Sequence, residues 1–206
     1  RPSDNPLIVH IAEYGALEKI VKEIPPKTEA LANAFWPGPL TMIFEKSEIV
    51  PYETTGGLET VAVRMPSNLI AMELIRAGGG YISAPSANTS GRPSPTKAEH
   101  VADDLNGKIE MILDGGSVEI GLESTIVDMT VEPPMILRPG AITKEMLEQE
   151  IGEVDVDRTI LSADSHQAPK APGMKYRHYA PKADLIIVEG EPEEETKAIR
   201  QLVYEQ

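Results

Sequence analysis

Proline and glycine interrupt this chain so often that no regular element can run far. The 206 residues include 18 Pro and 16 Gly, and some stand together, as in Pro25-Pro26, Pro37-Gly38-Pro39 and Gly78-Gly79-Gly80. Helices end at such positions because proline lacks an amide proton and glycine loses much backbone entropy on ordering. No apolar run approaches the roughly 18 residues that a membrane-spanning helix needs. The pattern therefore predicts a soluble chain of short strands and helices.

The segments between these breaks predict a twisted, mixed sheet with flanking helices, an α/β or α+β fold. Short apolar runs predict strands, and helical spacing that stops at proline or glycine predicts helices. The predicted strands are 5–11, 40–46, 60–66, 81–86, 108–116, 123–130, 133–140 and 183–190. The predicted helices are 15–24, 27–36, 67–79, 96–105, 142–151 and one that begins at 191, and Thr96 and Glu99 have capping-box spacing at the fourth.

A change of composition after about Asp157 indicates the end of a first domain. Residues 165–183 hold no acidic residue but several Lys, Arg, His and Pro, which is typical of an extended linker. A strand and an acidic helix follow, as at the start of a second domain. The predicted units are a first domain at 1–157, a linker or lid at 158–183, and the start of a second domain at 184–206.

Charge and cysteine content disfavour two classes of function. The formal net charge of −14 repels phosphate backbones, and nucleic-acid affinity depends largely on Lys and Arg that neutralise phosphates. The absence of cysteine excludes disulfides and thiolate zinc sites, and it is typical of a reducing cytoplasm, where we expect the protein to act.

Residues 83–96, SAPSANTSGRPSPT, form a hydroxyl-rich loop that offers no acid, base or metal ligand. Hydroxyls, the Asn88 amide and backbone N–H groups between a strand and a helix suit a phosphate-rich ligand. The positive end of the helix begun at Thr96 would point back to that loop. The alternative is a Ser/Pro turn that only caps the helix.

Two arginines in apolar strands indicate an anion cleft. Arg64 and Arg138 must each be paired or face a cleft, because an isolated buried charge is very costly. The alternative for each arginine is a structural ion pair or a side chain that snorkels to solvent. His10 ends the first strand and is a candidate site residue, with a satisfied core histidine as the alternative. Ser124 and Thr125 offer a second pair of hydroxyls at the start of a strand, with a β-bulge or a cap as the alternative.

The basic linker interleaves aromatic and charged side chains, and its central residues are Lys175, Tyr176, Arg177, His178 and Tyr179. Such a mix could cover an anionic ligand as a lid, whereas a solvated tether is the alternative. The sequence contains no GxxxxGK[ST], HExxH or CxxC motif.

Several long motifs occur in the order of a known family. The motifs are the hydroxyl-rich loop, WPGPLT (36–41), VAVRMP (61–66), ESTIVD (123–128) and ILRPG (136–140). Together they resemble the YrdC/TsaC-type threonylcarbamoyl-AMP synthases, and APGMKYRHYAP (171–181) is similar to the linker of the longer, two-domain members. The resemblance implies an N-terminally incomplete YrdC-like domain and the truncated start of a Rossmann-like domain.

The reaction implied by the resemblance is an ATP-dependent condensation. L-Threonine and bicarbonate form a carbamate, which attacks the α-phosphate of ATP and yields threonylcarbamoyl-AMP and pyrophosphate for tRNA modification by downstream enzymes. Such chemistry needs positioning and charge neutralisation more than a proton shuttle, and Mg²⁺ is expected with the triphosphate. A tRNA- or double-stranded-RNA-binding translation factor is the main alternative, and a carbamoyl-adenylate reaction of hydrogenase maturation is another. Neither stable nucleic-acid binding nor a membrane partner is expected.

The resemblance also implies roles for individual residues, none of them a catalytic acid or base. Arg1, matching the Arg of a family KxR segment, would bind ATP with Arg64, Ser86, Asn88 and Arg138. His10, Ser124 and Thr125 would line the threonine side, and the five central linker residues would form the lid. The Lys of the KxR segment and an upstream PTET…YGL motif are not in the sequence, so we expect the chain to be a piece of a longer enzyme.

Overall fold

The computed structural model describes residues 4–157 and 186–204. Its described residues form a seven-stranded sheet in the order β4-β1-β3-β2-β5-β6-β7. The strands are β1 (Ile8–Ile11), β2 (Leu40–Glu45), β3 (Thr60–Arg64), β4 (Tyr81–Ala84), β5 (Thr125–Asp128), β6 (Met135–Arg138) and β7 (Asp155–Val156).

Parallel and antiparallel pairs alternate across the sheet. The β1–β3, β2–β5 and β6–β7 pairs are parallel, and the β1–β4, β2–β3 and β5–β6 pairs are antiparallel. Parallel neighbours require a crossover, which the intervening helices supply. The predicted mixed sheet with flanking helices is thereby confirmed.

The helices lie at most of the predicted places. A 3₁₀ turn, Tyr14–Ala16, precedes the first of them. The helices are α1 (Leu17–Ile20), α2 (Thr28–Phe35), α3 (Tyr52–Thr55), α4 (Leu69–Ala77), α5 (Ala98–Leu105), α6 (Lys144–Ile151) and α7 (Pro192–Tyr204). Asn68 caps α4 and Thr143 caps α6, because each side chain accepts a hydrogen bond from a backbone N–H in the first turn. None of the helices in the described ranges combines the length and the hydropathy needed to cross a bilayer.

Period-two alternation gives the sheet two different faces. Val9 and Ile11 of β1 and Val61 and Val63 of β3 join the main core. The opposite face carries a small apolar cluster, formed by Ile43, Ala62, Ile126 and Leu137 with Ile8 and Met135 beside it. Residues of β1 and β3 that alternate with the main-core residues therefore point to the second face.

The helix predicted at 15–24 is wrong in its length. The α1 helix ends at Ile20, and Val21 is extended, with φ −117° and ψ 153°. Val21 forms a β-bridge with Lys46, and the Lys22 N–H donates to the Glu45 carbonyl at 2.9 Å. Pairing with the end of β2 replaces helical hydrogen bonds before the proline pair is reached.

The strand predicted at 108–116 is also wrong. Residues 111–116 have no regular structure, and Met111 and Leu113 are exposed. A strand needs a hydrogen-bonded neighbour, and no strand among the described residues pairs with this segment.

Two further predictions are corrected near α5 and α7. The N-cap of α5 is Lys97 and makes no side-chain cap, while the Thr96 N–H donates to His100 Nδ1 at 3.3 Å, so Glu99 completes no capping box with Thr96. Of the strand predicted at 183–190, residues 186–190 are irregular and the rest lie outside the described residues. The helix predicted from 191 is confirmed by α7.

Candidate functional site

A row of side chains crosses the second face of the sheet. The strand registers place His10 of β1 beside Arg64 of β3, Arg64 beside Thr41 of β2, and Thr41 beside Ile126 of β5. A register shift in the β5–β6 pair then aligns Ile126 with Arg138. Because residues paired in register point to the same face, the sheet brings two arginines, a histidine and a hydroxyl into one line.

Arg64 is a partly buried cation on the same face of the sheet as a second cation, Arg138. Its Nε donates to the Gly38 carbonyl at 3.0 Å. Burial, and then the charge of Arg138, lower the pKa of its guanidinium. In the described part of the chain no carboxylate forms an ion pair with Arg64. Since arginine stays protonated in proteins, the site keeps positive charge that an anion would stabilise.

The turn between α2 and β2 fixes the carbonyl that Arg64 binds. The Gly38 N–H donates to the Met65 carbonyl at 2.8 Å, and Trp36 Nε1 donates to the Leu40 carbonyl at 2.7 Å. A Cβ on Gly38 would lie 2.4 Å from the Phe35 carbonyl oxygen, so only glycine fits. The WPGPL sequence is therefore a rigid support for the arginine.

Arg138, Ser124 and Thr41 form a hydrogen-bonded group. Arg138 Nη2 donates to the Ser124 carbonyl at 2.9 Å and to Ser124 Oγ at 3.0 Å. Ser124 Oγ lies 2.7 Å from Thr41 Oγ1, and both side chains are buried. The group can orient a hydroxyl or a carboxylate of a ligand beside the arginine.

Thr125 faces away from this group and supports the chain that follows β6. Its hydroxyl donates to the Ile142 carbonyl at 2.7 Å and accepts from the Ile142 N–H at 3.1 Å, and the residue is fully buried. The structure thus gives Thr125 a structural contact, and its contact with threonine stays a prediction.

His10 is neutral at physiological pH. Burial, and then the charge of Arg64, lower the pKa of its imidazole to about 4, against hydrogen bonding to the backbone of Ile82 and Ile8, which raises it. The side chain is therefore a hydrogen-bonding group of the row and adds no third positive charge.

The hydroxyl-rich loop leaves the sheet close to this row. It starts at β4, where Ala84 is in register with Ile8, two residues before His10 on β1. Asn88 Nδ2 donates to the carbonyls of Thr89 at 3.0 Å and Arg92 at 2.9 Å, while Asn88 Oδ1 is buried without a partner among the described residues. Ser86 is exposed. The predicted nucleotide contacts of Ser86 and Asn88 stay predictions.

Sequence reasoning missed two residues of this region. Thr41 lies in the predicted strand, and the signal that could have identified it is that it is a polar residue inside the otherwise apolar, buried run LTMIF. Asp104 is buried on α5 and binds the loop; its signal was an acid on the helix face shared with Val101 and Leu105. The predicted site residues Arg1 and Lys175 to Tyr179 lie outside the described residues.

The side chains of the row are donors that suit an anion rather than ligands that suit a metal ion. Within 4–157 and 186–204, no group of three or more His, Asp or Glu side chains could hold a metal ion. The donors of the row are guanidinium N–H groups, hydroxyls and a neutral imidazole, a set that suits an anion better than a hard cation. These residues therefore do not fit a protein-held Mg²⁺.

Comparison with known proteins gives two family matches and several relatives. Residues 1–140 match the Sua5–YciO–YrdC family, described as telomere recombination, and residues 142–206 match a family described as threonylcarbamoyl-AMP synthase, C-terminal domain. The chain is 54% identical over 203 residues to the threonylcarbamoyl-AMP synthase of Pyrococcus abyssi, which covers 98% of this chain and 59% of that protein. It is 53% identical over 194 residues to the synthase of Bacillus subtilis, which covers 94% of this chain and 56% of that protein. The chain thus spans less than two thirds of the length of these relatives.

Solved structures agree with this result. The crystal structure of P. abyssi Sua5 complexed with L-threonine superimposes with a TM-score of 0.94 at 53% identity, over 100% of this chain and 60% of that chain. Escherichia coli YciO superimposes with a TM-score of 0.59 at 22% identity, over 68% of each chain, and at that identity it supports the fold alone.

Proposed function

The chain belongs to the Sua5–YciO–YrdC family, and we propose that it carries much of the site of a threonylcarbamoyl-AMP synthase. The enzyme condenses L-threonine, bicarbonate and ATP to threonylcarbamoyl-AMP and pyrophosphate, and downstream enzymes transfer the threonylcarbamoyl group to tRNA. The observation that carries this proposal is the row on the second face, where the strand registers align Arg64 and Arg138 with the hydrogen-bonded hydroxyls of Thr41 and Ser124.

The chemistry divides into two steps. The threonine amine attacks bicarbonate, a C–N bond forms, and water leaves to give the carbamate. A carbamate oxygen then attacks the α-phosphorus of ATP, and the bond from that phosphorus to the bridging oxygen breaks to release pyrophosphate. Negative charge shifts from the carbamate to the leaving group, so fixed cations and hydrogen-bond donors lower the barrier more than a proton shuttle would.

The residues of the row have distinct parts in this proposal. Arg64 and Arg138 neutralise phosphate oxygens. Ser124, held by Arg138 and Thr41, binds the carboxylate or hydroxyl of threonine, and neutral His10 borders that amino acid. That P. abyssi Sua5 was crystallised with L-threonine supports this choice of substrate. Mg²⁺ comes as the ATP complex rather than on a protein carboxylate cluster.

The proposal also includes ligand contacts from residues outside the row, in the hydroxyl-rich loop, at Arg1 and in the basic linker. Ser86 and Asn88 present the hydroxyl-rich loop to the triphosphate, and Arg1 adds a cation. The linker residues Lys175, Tyr176, Arg177, His178 and Tyr179 close over the ligands as a lid. Cytoplasmic action, beside the tRNA-modifying enzymes, completes the proposal.

The test is pyrophosphate release by the full-length native protein, with threonine and bicarbonate omitted in turn. Release from ATP that requires both threonine and bicarbonate is expected. Release that does not depend on threonine would refute the proposal and favour another carbamoyl-adenylate reaction. Salt-sensitive, submicromolar tRNA affinity without pyrophosphate release would instead favour an RNA-binding factor.

A further inference from the structure

Asp104 is a buried carboxylate that holds the hydroxyl-rich loop to α5. The residue is 8% exposed, although Asp is rarely buried unless it is paired. Its Oδ2 accepts from the Thr89 N–H at 3.0 Å, and its Oδ1 forms an ion pair with Arg92 Nη1. Both carboxylate oxygens are therefore bound to residues of the loop.

The loop residues that Asp104 binds form a compact turn. The Arg92 N–H donates to the Thr89 carbonyl at 3.1 Å, which closes a β-turn over Ser90 and Gly91. Gly91 has φ +88°, the left-handed value that the third residue of a type II turn requires. Asp104 thus binds the first residue of the turn through the backbone and the last through the side chain.

Asn88 takes its position from the same turn. Its Nδ2 donates to the carbonyls of Thr89 and Arg92, the residues at the two ends of the turn. Both amide hydrogens are committed to the loop, so a movement of the turn moves the Asn88 side chain with it. The Arg92 side chain is 61% exposed, and Asp104 is its ion-pair partner among the described residues.

We propose that Asp104 is a positioning residue for the reaction of the proposed function, on which this inference rests. It keeps the turn from Thr89 to Arg92, and with it the Asn88 side chain, in one arrangement before the nucleotide binds. Without the carboxylate, the Thr89 N–H and the Arg92 side chain lose their partner, and the loop becomes less ordered in the free protein. The nucleotide must then order the loop when it binds, and this ordering reduces the free energy of binding. The cost falls on nucleotide binding rather than on the chemical step.

Kinetics of the full-length native protein test this role. Asp104→Ala is expected to raise the KM for ATP about tenfold while kcat and the KM for threonine change less than about threefold. Asp104→Asn keeps an acceptor for the Thr89 N–H, so its effect should be smaller. Asp103→Ala removes an exposed acid from the same helix and is the matched control, expected to behave as wild type.

Amide hydrogen exchange supplies a second readout. Exchange at Thr89 and its neighbours should become faster in Asp104→Ala and stay unchanged in Asp103→Ala, with thermal melts showing that both variants are folded. Unchanged exchange, or a fall in kcat with an unchanged KM for ATP, would overturn the positioning role. If the wild type releases no threonine-dependent pyrophosphate, the proposed function fails; in that case exchange and the Kd of an ATP analogue still decide whether Asp104 positions the loop for a nucleotide.

Discussion

His10 and Arg64 are far apart in sequence but in register in the sheet, and burial, together with the charge of Arg64, keeps the histidine neutral. Burial and the Arg64 charge lower the pKa of the imidazole to about 4, against an unperturbed value of 6.5. The sequence shows a histidine at the end of a predicted strand, but it does not show that Arg64 lies in register with it on the neighbouring strand.

The lowered pKa predicts a pH dependence of stability. The unfolded chain binds a proton at His10 as the pH falls through 6.5, whereas the folded protein does so only near 4, so folding loses free energy across that interval. The loss reaches up to about 3 kcal/mol at 1.36 kcal/mol for each pKa unit.

Urea denaturation at several pH values between 4.5 and 7.5 measures this effect. The wild type should lose more stability than His10→Gln as the pH falls, because the carboxylates titrate equally in both proteins. Parallel curves for the two proteins would contradict the assignment.

Arg64 is the residue that most directly tests the anion site. Arg64→Ala is expected to lower kcat/KM for ATP by about 10²-fold or more, because fixed donors at developing charge have effects of that size. Arg76→Ala, which removes an exposed arginine paired with Glu73 on α4, is the control and should stay within about twofold of wild type. Equal activity of Arg64→Ala and the control, measured by pyrophosphate release, would exclude Arg64 from the site.

At the scale of elements, the connection from β6 to α6 depends on one close contact. Gly140 lies where a Cβ would be 2.5 Å from the Glu123 carbonyl oxygen and 2.6 Å from the Thr125 nitrogen. Both are backbone atoms of the segment that carries Ser124, so they cannot move aside without disturbing the row.

Gly140→Ala is therefore expected to destabilise the fold by about 1–3 kcal/mol, the usual cost of forcing extra atoms into a packed site. Gly121→Ala is the matched control, because nothing lies within 4 Å of its Cβ position. Denaturant unfolding should give a lower midpoint for Gly140→Ala than for Gly121→Ala. An unchanged midpoint for Gly140→Ala would show that the backbone around Ser124 can shift to accommodate the added methyl group.

At the scale of the whole chain, the net charge predicts its affinity for RNA. The net charge of −14 on these 206 residues should keep this chain from binding tRNA tightly at physiological salt. Fluorescence anisotropy with labelled tRNA at about 150 mM salt is expected to give a Kd weaker than about 10 μM, within the non-specific range. A tighter, strongly salt-dependent Kd would show that local basic segments outweigh the acidic surface.

The sequence by itself determined the strand and helix types and the family. Alternating apolar residues and proline or glycine breaks are local properties, so β1 to β6 and most of the helices were predictable. Long motifs such as the hydroxyl-rich loop and ESTIVD identify the family because their order is improbable by chance. The mixed sheet followed from the same patterns.

Only the tertiary structure decided which residues meet. Register across β1, β3, β2, β5 and β6 placed His10, Arg64, Thr41 and Arg138 in one row, and packing of α5 placed Asp104 against the loop. Strand pairing also explains why α1 ends early and why residues 111–116 do not form a strand: residue 21 pairs with the end of β2, whereas 111–116 pair with no strand among the described residues. Strand pairing brings together residues that are distant in sequence, and the local hydrophobic periodicity of a strand does not show which strand it will pair with.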